Sequence, residues 1–326
     1  MAKRKMILDL DTGIDDSLAI AYALGASDVD LIGIIGSYGN VVIEEGGKNA
    51  LKILELLGHT DIPVYLGESH SSTSDHFDRM EVSANIHGQN GIGEVDLPEP
   101  TRAIESESGV DFLIDAVHQY GKDLTLVPTG PMTNLAAALK KAPEIATEMG
   151  NMTFMGGALT MPGNVTRFAE ANINQDAEAA NAVLTSPLHS TMVGLDVTLR
   201  TLLTKKETQQ WRDLGTTSGE KFADIVDYYI EAYKQFNDNL GGCALHDPLA
   251  VGVALDPSFV TTIDLNMVVN TNKETYGRTI GDDNRLNEPT NVKVAVMVDK
   301  DRYLKVFMDY LTNLFKENLE HHHHHH

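Results

Sequence analysis

Four carboxylates fall within eight residues near the start of the chain, in Ile7-Leu8-Asp9-Leu10-Asp11-Thr12-Gly13-Ile14-Asp15-Asp16-Ser17. Carboxylates gathered this closely repel one another unless a cation or hydrogen bonds compensate. Oxygen-only ligands select a hard cation, calcium or magnesium. Capping of the following helix by Asp15 or Asp16 accounts for one aspartate and not for four. A second signal is His246-Asp247-Pro248-Leu249-Ala250, where an imidazole stands beside a carboxylate and can serve as a general acid near neutral pH. Asp247 has a competing reading there as the cap of a helix that starts with Pro248. The third is Val127-Pro128-Thr129-Gly130-Pro131-Met132-Thr133-Asn134, a strand end, tight turn and helix start. Its backbone carbonyl can ligate a hard cation, or the turn is an ordinary one in which Thr133 or Asn134 bonds locally. In the fourth, Asn164, Glu170 and Asn172 supply donors and acceptors suited to a polyhydroxylated ligand. Tyr229 and Tyr233, four residues apart, share a helix face that either packs into the core or stacks on a ring.

The elements that must position these groups alternate along the chain. Apolar runs at 6–10, 31–35, 62–66, 124–128, 152–155 and 191–195 read as buried strands. Helical spacing falls between them, at 15–24, 46–57, 110–120, 132–139 and 177–184. Residues 204–236 read as one long, polar helix, 267–269 and 292–298 as late strands, and 303–315 as a closing helix. The segment 67–101 is rich in Ser, His, Asp and Gly and reads as a long loop of the kind that is either functional or disordered. The expected fold class is α/β, a mainly parallel, doubly wound sheet with helices on both faces in a single domain over residues 1–318. Residues 319–326 are an appended histidine tag and take no part in metal-site reasoning. In open α/β sheets the carboxyl ends of the strands carry the ligand, and the polar segments above sit there.

Composition narrows the function. The chain has 326 residues, with 25 Lys+Arg against 47 Asp+Glu and a formal charge of −22. Its average field repels phosphate, so neither nucleic acid nor an anionic membrane surface is an expected partner. Cys243 is the only cysteine, which excludes an intrachain disulfide and a multi-thiolate zinc site, and it reads as a buried small hydrophobe. The basic Met1–Met6 start is followed by an apolar run that Asp9 and Asp11 break, so no signal peptide is expected. No stretch approaches about 20 apolar residues, so no membrane span is expected, and the compartment is taken as the cytoplasm.

Together the four segments resemble the inosine–uridine-preferring nucleoside hydrolase family. Its opening motif Asp-x-Asp-x-Gly-x-Asp-Asp is matched at Asp9, Asp11, Gly13, Asp15 and Asp16. His246-Asp247-Pro248-Leu249-Ala250, Gly39-Asn40-Val41 and the loop His87-Gly88-Gln89-Asn90-Gly91-Ile92-Gly93 also fit, and the likeness runs from Met6 to about Phe315. The resemblance implies calcium-dependent hydrolysis of the N-glycosidic bond of ribonucleosides to ribose and free base. It implies Ca2+ held by Asp11, Asp16, Asp247 and the Thr129 carbonyl. It also implies Asp15 on the 2′-hydroxyl, Asn172 on the 2′- and 3′-hydroxyls, Asn164 and Glu170 on the 5′-hydroxyl, and Asn40 orienting the acidic cluster. His87 and His246 would flank the base, and the family assembles as homodimers and homotetramers. Asp11 is the expected base towards water and His246 the expected acid towards the leaving group.

Thr12 stands where the family usually has Pro, and Arg167, Phe168 and Ala171 replace the residues usual beside the sugar edge. The two histidines near the base imply, through the resemblance, a pyrimidine or inosine–uridine type of enzyme, and these departures leave the base preference itself not legible. Two other classes fit parts of the chain. Asp9-Leu10-Asp11-Thr12-Gly13 superficially resembles the Asp-x-Asp-x-Thr signature of haloacid dehalogenase-type phosphatases, with Gly281-Asp282-Asp283 as a later acidic motif. That reading leaves His246-Asp247-Pro248 and the Asn164 to Asn172 segment unexplained. A non-catalytic, calcium-dependent nucleoside-binding protein would use the same ligands.

Overall fold

The computed structural model describes residues 2–324. Strand β1 (Arg4–Leu10) lies near the middle of the sheet. It pairs in parallel with β2 (Val29–Gly36) on one side and, on the other, with β4 (Leu124–Pro128). β3 (Val64–Leu66) extends the sheet beyond β2, and β5 (Asn151–Met155) and β6 (Ser190–Val193) extend it beyond β4. Two short antiparallel pairs stand apart from it: β7 (Leu202–Leu203) with β8 (Cys243–Ala244), and β10 (Met267–Val269) with β11 (Thr279–Gly281). β9 (Val260–Leu265) and β12 (Val292–Val298) finish the large sheet, β12 parallel to β6 and β9 antiparallel on the edge. The order of the eight strands is β3-β2-β1-β4-β5-β6-β12-β9.

A parallel sheet covered on both faces needs strands that are apolar throughout, and β1 supplies this with residues 6–10 buried. Met6, Leu8 and Leu10 face a core shared with helices Ile14–Gly25, His246–Leu255 and Lys300–His324. Ile7 faces the opposite core, under helices Gly109–Tyr120, Thr133–Lys141 and Ala177–Thr185. This is the doubly wound, single-domain α/β fold expected from the alternation of elements.

Four local expectations are corrected. The long segment 67–101 is not wholly irregular, because helix Glu81–His87 forms inside it. The single helix at 204–236 is two, Lys205–Asp213 and Thr217–Lys234, split where Gly215 takes a positive φ of 72° and Thr216 caps the second helix. The strand at 191–195 ends at Val193, and Leu195 opens a short helix. β9 was not expected as a strand, because half of its side chains face solvent on a sheet edge and no buried apolar run marks it.

Candidate functional site

The acidic segment leaves β1 at its carboxyl end and turns directly into helix Ile14–Gly25. Gly13 makes the junction possible, because a Cβ there would stand 2.6 Å from His87 Nδ1. The aspartates then separate by partner. Asp9 turns to the amide of Asn134, whose Nδ2 donates to both its oxygens at 3.3 Å. Asp11 Oδ2 accepts from the Asn40 N–H at 2.8 Å. Asp16 Oδ1 accepts from Gly13 N–H and from Asn40 Nδ2, and its Oδ2 accepts from the Thr129 hydroxyl at 3.0 Å. Asp15 Oδ2 accepts from the Asp247 N–H at 2.8 Å, joining the two ends of the chain. Asp247 is therefore not the cap of helix His246–Leu255, which starts without a side-chain cap at Leu245. Thr133 and Asn134 likewise bond at long range, to Asp176 and Asp9, rather than within their own turn.

All these carboxylates are buried. Desolvation pushes Asp9 up to about 7 and holds Asp11, Asp15 and Asp247 well above the usual carboxylate range, with neighbouring aspartates adding to the rise. Asp16 is raised by burial as well, offset by the hydrogen bonds it accepts.

Above this floor lies a cavity of about 260 Å³ that touches Asp15, Asn40, Thr129 and Asp247. One wall carries Asn164, Glu170 and Asn172. Glu170 caps the short helix Ala171–Gln175: its Oε1 accepts from Gly157 N–H and Ile173 N–H and its Oε2 from Asn172 N–H. Burial pushes Glu170 up to about 7. Asn164 Oδ1 accepts from Ala171 N–H, which folds the loop back on itself. Asn172 Nδ2 donates to the carbonyls of Thr129 and Met155, and so ties this wall to the floor.

The roof is aromatic. Tyr229 and Tyr233 project from helix Thr217–Lys234 into the cavity, so their shared face serves a site as well as the core. His246 lies between Tyr233 and Thr198: its Nε2 is 2.9 Å from the Tyr233 hydroxyl and its Nδ1 is 2.8 Å from Thr198 Oγ1. Burial pushes His246 down to about 4, so the ring is neutral at pH 7. His87 Nδ1 accepts from Ile14 N–H at 3.1 Å, and its ring lies 5.4 Å from that of Tyr229. Burial pushes His87 down to about 3, and the nearby Arg79 charge adds to the shift.

The donor chemistry of the floor fits a hard cation. Asp11 Oδ1 and Asp15 Oδ1 are buried with no hydrogen-bond partner, and a buried unpaired carboxylate oxygen calls for a counter-charge. Among the described residues no group of three or more His, Cys, Asp or Glu side chains stands ready as a ligand shell. The Thr129 carbonyl, already accepting from Asn172, has a second lone pair to offer.

The structure thus brings Asp15, Asn40, His87, Thr129, Asn164, Glu170, Asn172, His246 and Asp247 around one cavity, places Asp11 and Asp16 behind its Asn40 and Thr129 lining, and turns Asp9 to Asn134. Of the unusual residues, Thr12 is buried with an unpartnered hydroxyl, and Phe168 is half-buried, with the Arg167 guanidinium 5.7 Å from its ring centre. Sequence reasoning missed Thr198 and Arg79, for which no local pattern gives a signal. It singled out Tyr233 only through its spacing from Tyr229.

Comparison with known proteins assigns the chain to a class, the hydrolases that act on N-glycosyl compounds. The inosine-uridine preferring nucleoside hydrolase profile matches residues 6–305, and the chain belongs to that family. It is similar in structure to a purine-preferring ribonucleoside hydrolase from Gardnerella vaginalis, with 58% identity, a TM-score of 0.95 and coverage of 96% of this chain and 99% of that one. A plant nucleoside hydrolase aligns at 32% identity with a TM-score of 0.89, over 95% and 99% of the two chains. Among curated relatives, a probable uridine nucleosidase of Arabidopsis thaliana is 34% identical, over 95% of this chain and 98% of that one. A pyrimidine-specific ribonucleoside hydrolase of Escherichia coli is 35% identical over the same shares.

Proposed function

We propose that this protein hydrolyses the N-glycosidic bond of ribonucleosides in a calcium-dependent reaction, with purine ribonucleosides preferred. The observation that carries the reading is the pair of unpartnered oxygens, Asp11 Oδ1 and Asp15 Oδ1, beneath a cavity walled by Asn164, Glu170 and Asn172. Purine preference rests on the likeness at 58% identity to an enzyme described as purine-preferring, against 34–35% for relatives named for uridine or pyrimidines. Ca2+ would be held by Asp11, Asp16, Asp247 and the Thr129 carbonyl. When bound, the ion supplies Lewis-acid polarisation of a water and balances the aspartate charges.

This chain's own groups do the rest. Asp15 and Asn172 hold the ribose diol, and Asn164 and Glu170 hold the 5′-hydroxyl. Asn40 clasps Asp11 and Asp16 at fixed angles. Asp11 accepts the proton of the attacking water. The buried carboxylates stabilise the positive charge that develops on the ribose in an oxocarbenium-like transition state. On the leaving side, His246 works with Tyr233. With Thr198 donating to Nδ1, the neutral ring donates from Nε2 to the Tyr233 oxygen; the Tyr233 O–H protonates the base, the Nε2–H stabilises the tyrosinate left behind, and solvent water returns its proton after the base departs. We further propose a homodimeric or homotetrameric cytoplasmic enzyme, with a ribonucleoside as its small-molecule partner.

The test is a panel of purine and pyrimidine ribonucleosides with detection of free ribose, with and without a calcium chelator. Release of ribose fastest from purine nucleosides, abolished by the chelator and restored by Ca2+, is expected. Phosphate release from phosphate esters without ribose release would favour the phosphatase class. Tight nucleoside binding without base release would favour a binding protein.

A further inference from the structure

The irregular segment before helix Glu81–His87 carries Arg79 near its end, a half-buried side chain that the reaction outlined above does not use. Its guanidinium donates to three backbone carbonyls: Nε to Asn40, Nη1 to Gln89 at 3.0 Å and Nη2 to Gly88 at 2.7 Å. Those carbonyls belong to two different parts of the site. Gly88 and Gln89 follow His87 directly, and the helix ending there supplies Val82, Ser83 and Ile86 to the cavity wall. Asn40 belongs to the floor, where its N–H and Nδ2 hold Asp11 Oδ2 and Asp16 Oδ1.

We propose that Arg79 is a positioning residue that locks the wall helix to the acidic floor and so fixes the angle of the Asp11 carboxylate. Three donors in one rigid plane can join two segments at a set distance, which a lysine's single ammonium cannot reproduce. The Asn40 turn has no slack to absorb a loss. Gly39 has a φ of 150°, and a Cβ there would stand 2.2 Å from Asp11 Oδ2. Any shift of the Asn40 backbone therefore transmits to Asp11. Phe77 against Tyr38, the His87 ring on the Ile14 N–H, and Asn49 between the Thr12 and Asn90 carbonyls also tie this segment to the floor, but the Asn40 carbonyl itself is held by the guanidinium.

The inference rests on the ribonucleoside hydrolase reading. Its test compares wild type, Arg79→Ala and Arg79→Lys on a purine nucleoside and on p-nitrophenyl riboside, with amide hydrogen exchange measured in parallel. A floor out of register acts on the water side of the reaction. The expected result is therefore a fall in kcat of about 10²-fold on both substrates in Arg79→Ala, with KM changing less. Millimolar guanidinium should restore part of the loss, Arg79→Lys should fall between, and exchange should quicken at Asn40 and through residues 81–87. An unchanged kcat in folded Arg79→Ala, or in Arg79→Lys if the alanine variant does not fold, overturns the proposal. So does a loss confined to KM. A wild-type enzyme inert on every nucleoside refutes the function and leaves exchange to decide: unchanged protection at Asn40 and 81–87 would then refute the clasp.

Discussion

At the scale of single residues, the same chemical type takes different duties according to its partners. Asp9 lies on β1 and Asp11 just past its end, yet Asp9 is satisfied by Asn134 while Asp11 keeps one oxygen unpaired under the cavity. The histidines make the same point. Both are buried and neutral at pH 7, but His87 spends its Nδ1 on the Ile14 N–H, whereas His246 faces a phenol at the cavity surface. The leaving-group role is therefore assigned to His246 and Tyr233 as a pair. Tyr233→Phe removes the hydroxyl and keeps the ring. Its kcat on purine nucleosides should fall by about 10²-fold, while p-nitrophenyl riboside, whose leaving group needs no proton, should be cleaved near the wild-type rate. Equal losses on the two substrates would remove the proton-relay role.

At the scale of elements, the cavity depends on how helix Thr217–Lys234 is seated. The loop after His87 carries Gly93 at a φ of 68°, and a Cβ there would stand 2.9 Å from Tyr228 Cβ and 3.1 Å from the Ile225 carbonyl oxygen. Close approach of loop and helix sets where the next residue, Tyr229, and then Tyr233 enter the site. Gly93→Ala should cost about 1–3 kcal/mol from its backbone conformation and the clash. It should also lower kcat/KM by displacing both tyrosines. Thermal melts and steady-state kinetics check this, and a variant with wild-type Tm and wild-type kcat/KM would show that the seating is not tight. The split of the expected 204–236 helix belongs here too. The break comes from the backbone at Gly215 and the cap at Thr216, a stop and start signal that Leu214-Gly215-Thr216-Thr217-Ser218 carries in the sequence and that the single-helix reading passed over.

At the scale of the molecule, burial of ionisable groups sets how stability responds to pH. His87 has a folded pKa of about 3, below its unfolded value near 6.5. The unfolded chain thus binds the proton first. The stabilisation from keeping this ring neutral is complete above pH 6.5 and is lost as pH falls from there towards 3. His87→Gln keeps an acceptor for Ile14 without the titration, so its Tm should fall less than that of wild type between pH 7 and pH 4. Parallel falls in both proteins would assign the acid sensitivity to other groups. Among the described residues no helix is long and apolar enough to cross a membrane, in keeping with the absence of any long apolar run.

The alternation of apolar runs with amphipathic stretches determined the doubly wound sheet, because buried parallel strands and the helices that cover them each impose a local pattern. Motif spacing also picked out the residues that line the cavity, since most sit at strand ends where the chain must turn. What the sequence could not determine is which groups share a hydrogen bond across the fold. Asp15 with Asp247, Tyr233 with His246, and Arg79 with Asn40 are separated by 232, 13 and 39 residues. Such pairings depend on the angles at which helices and loops pack over the sheet, and those angles are set by the whole core.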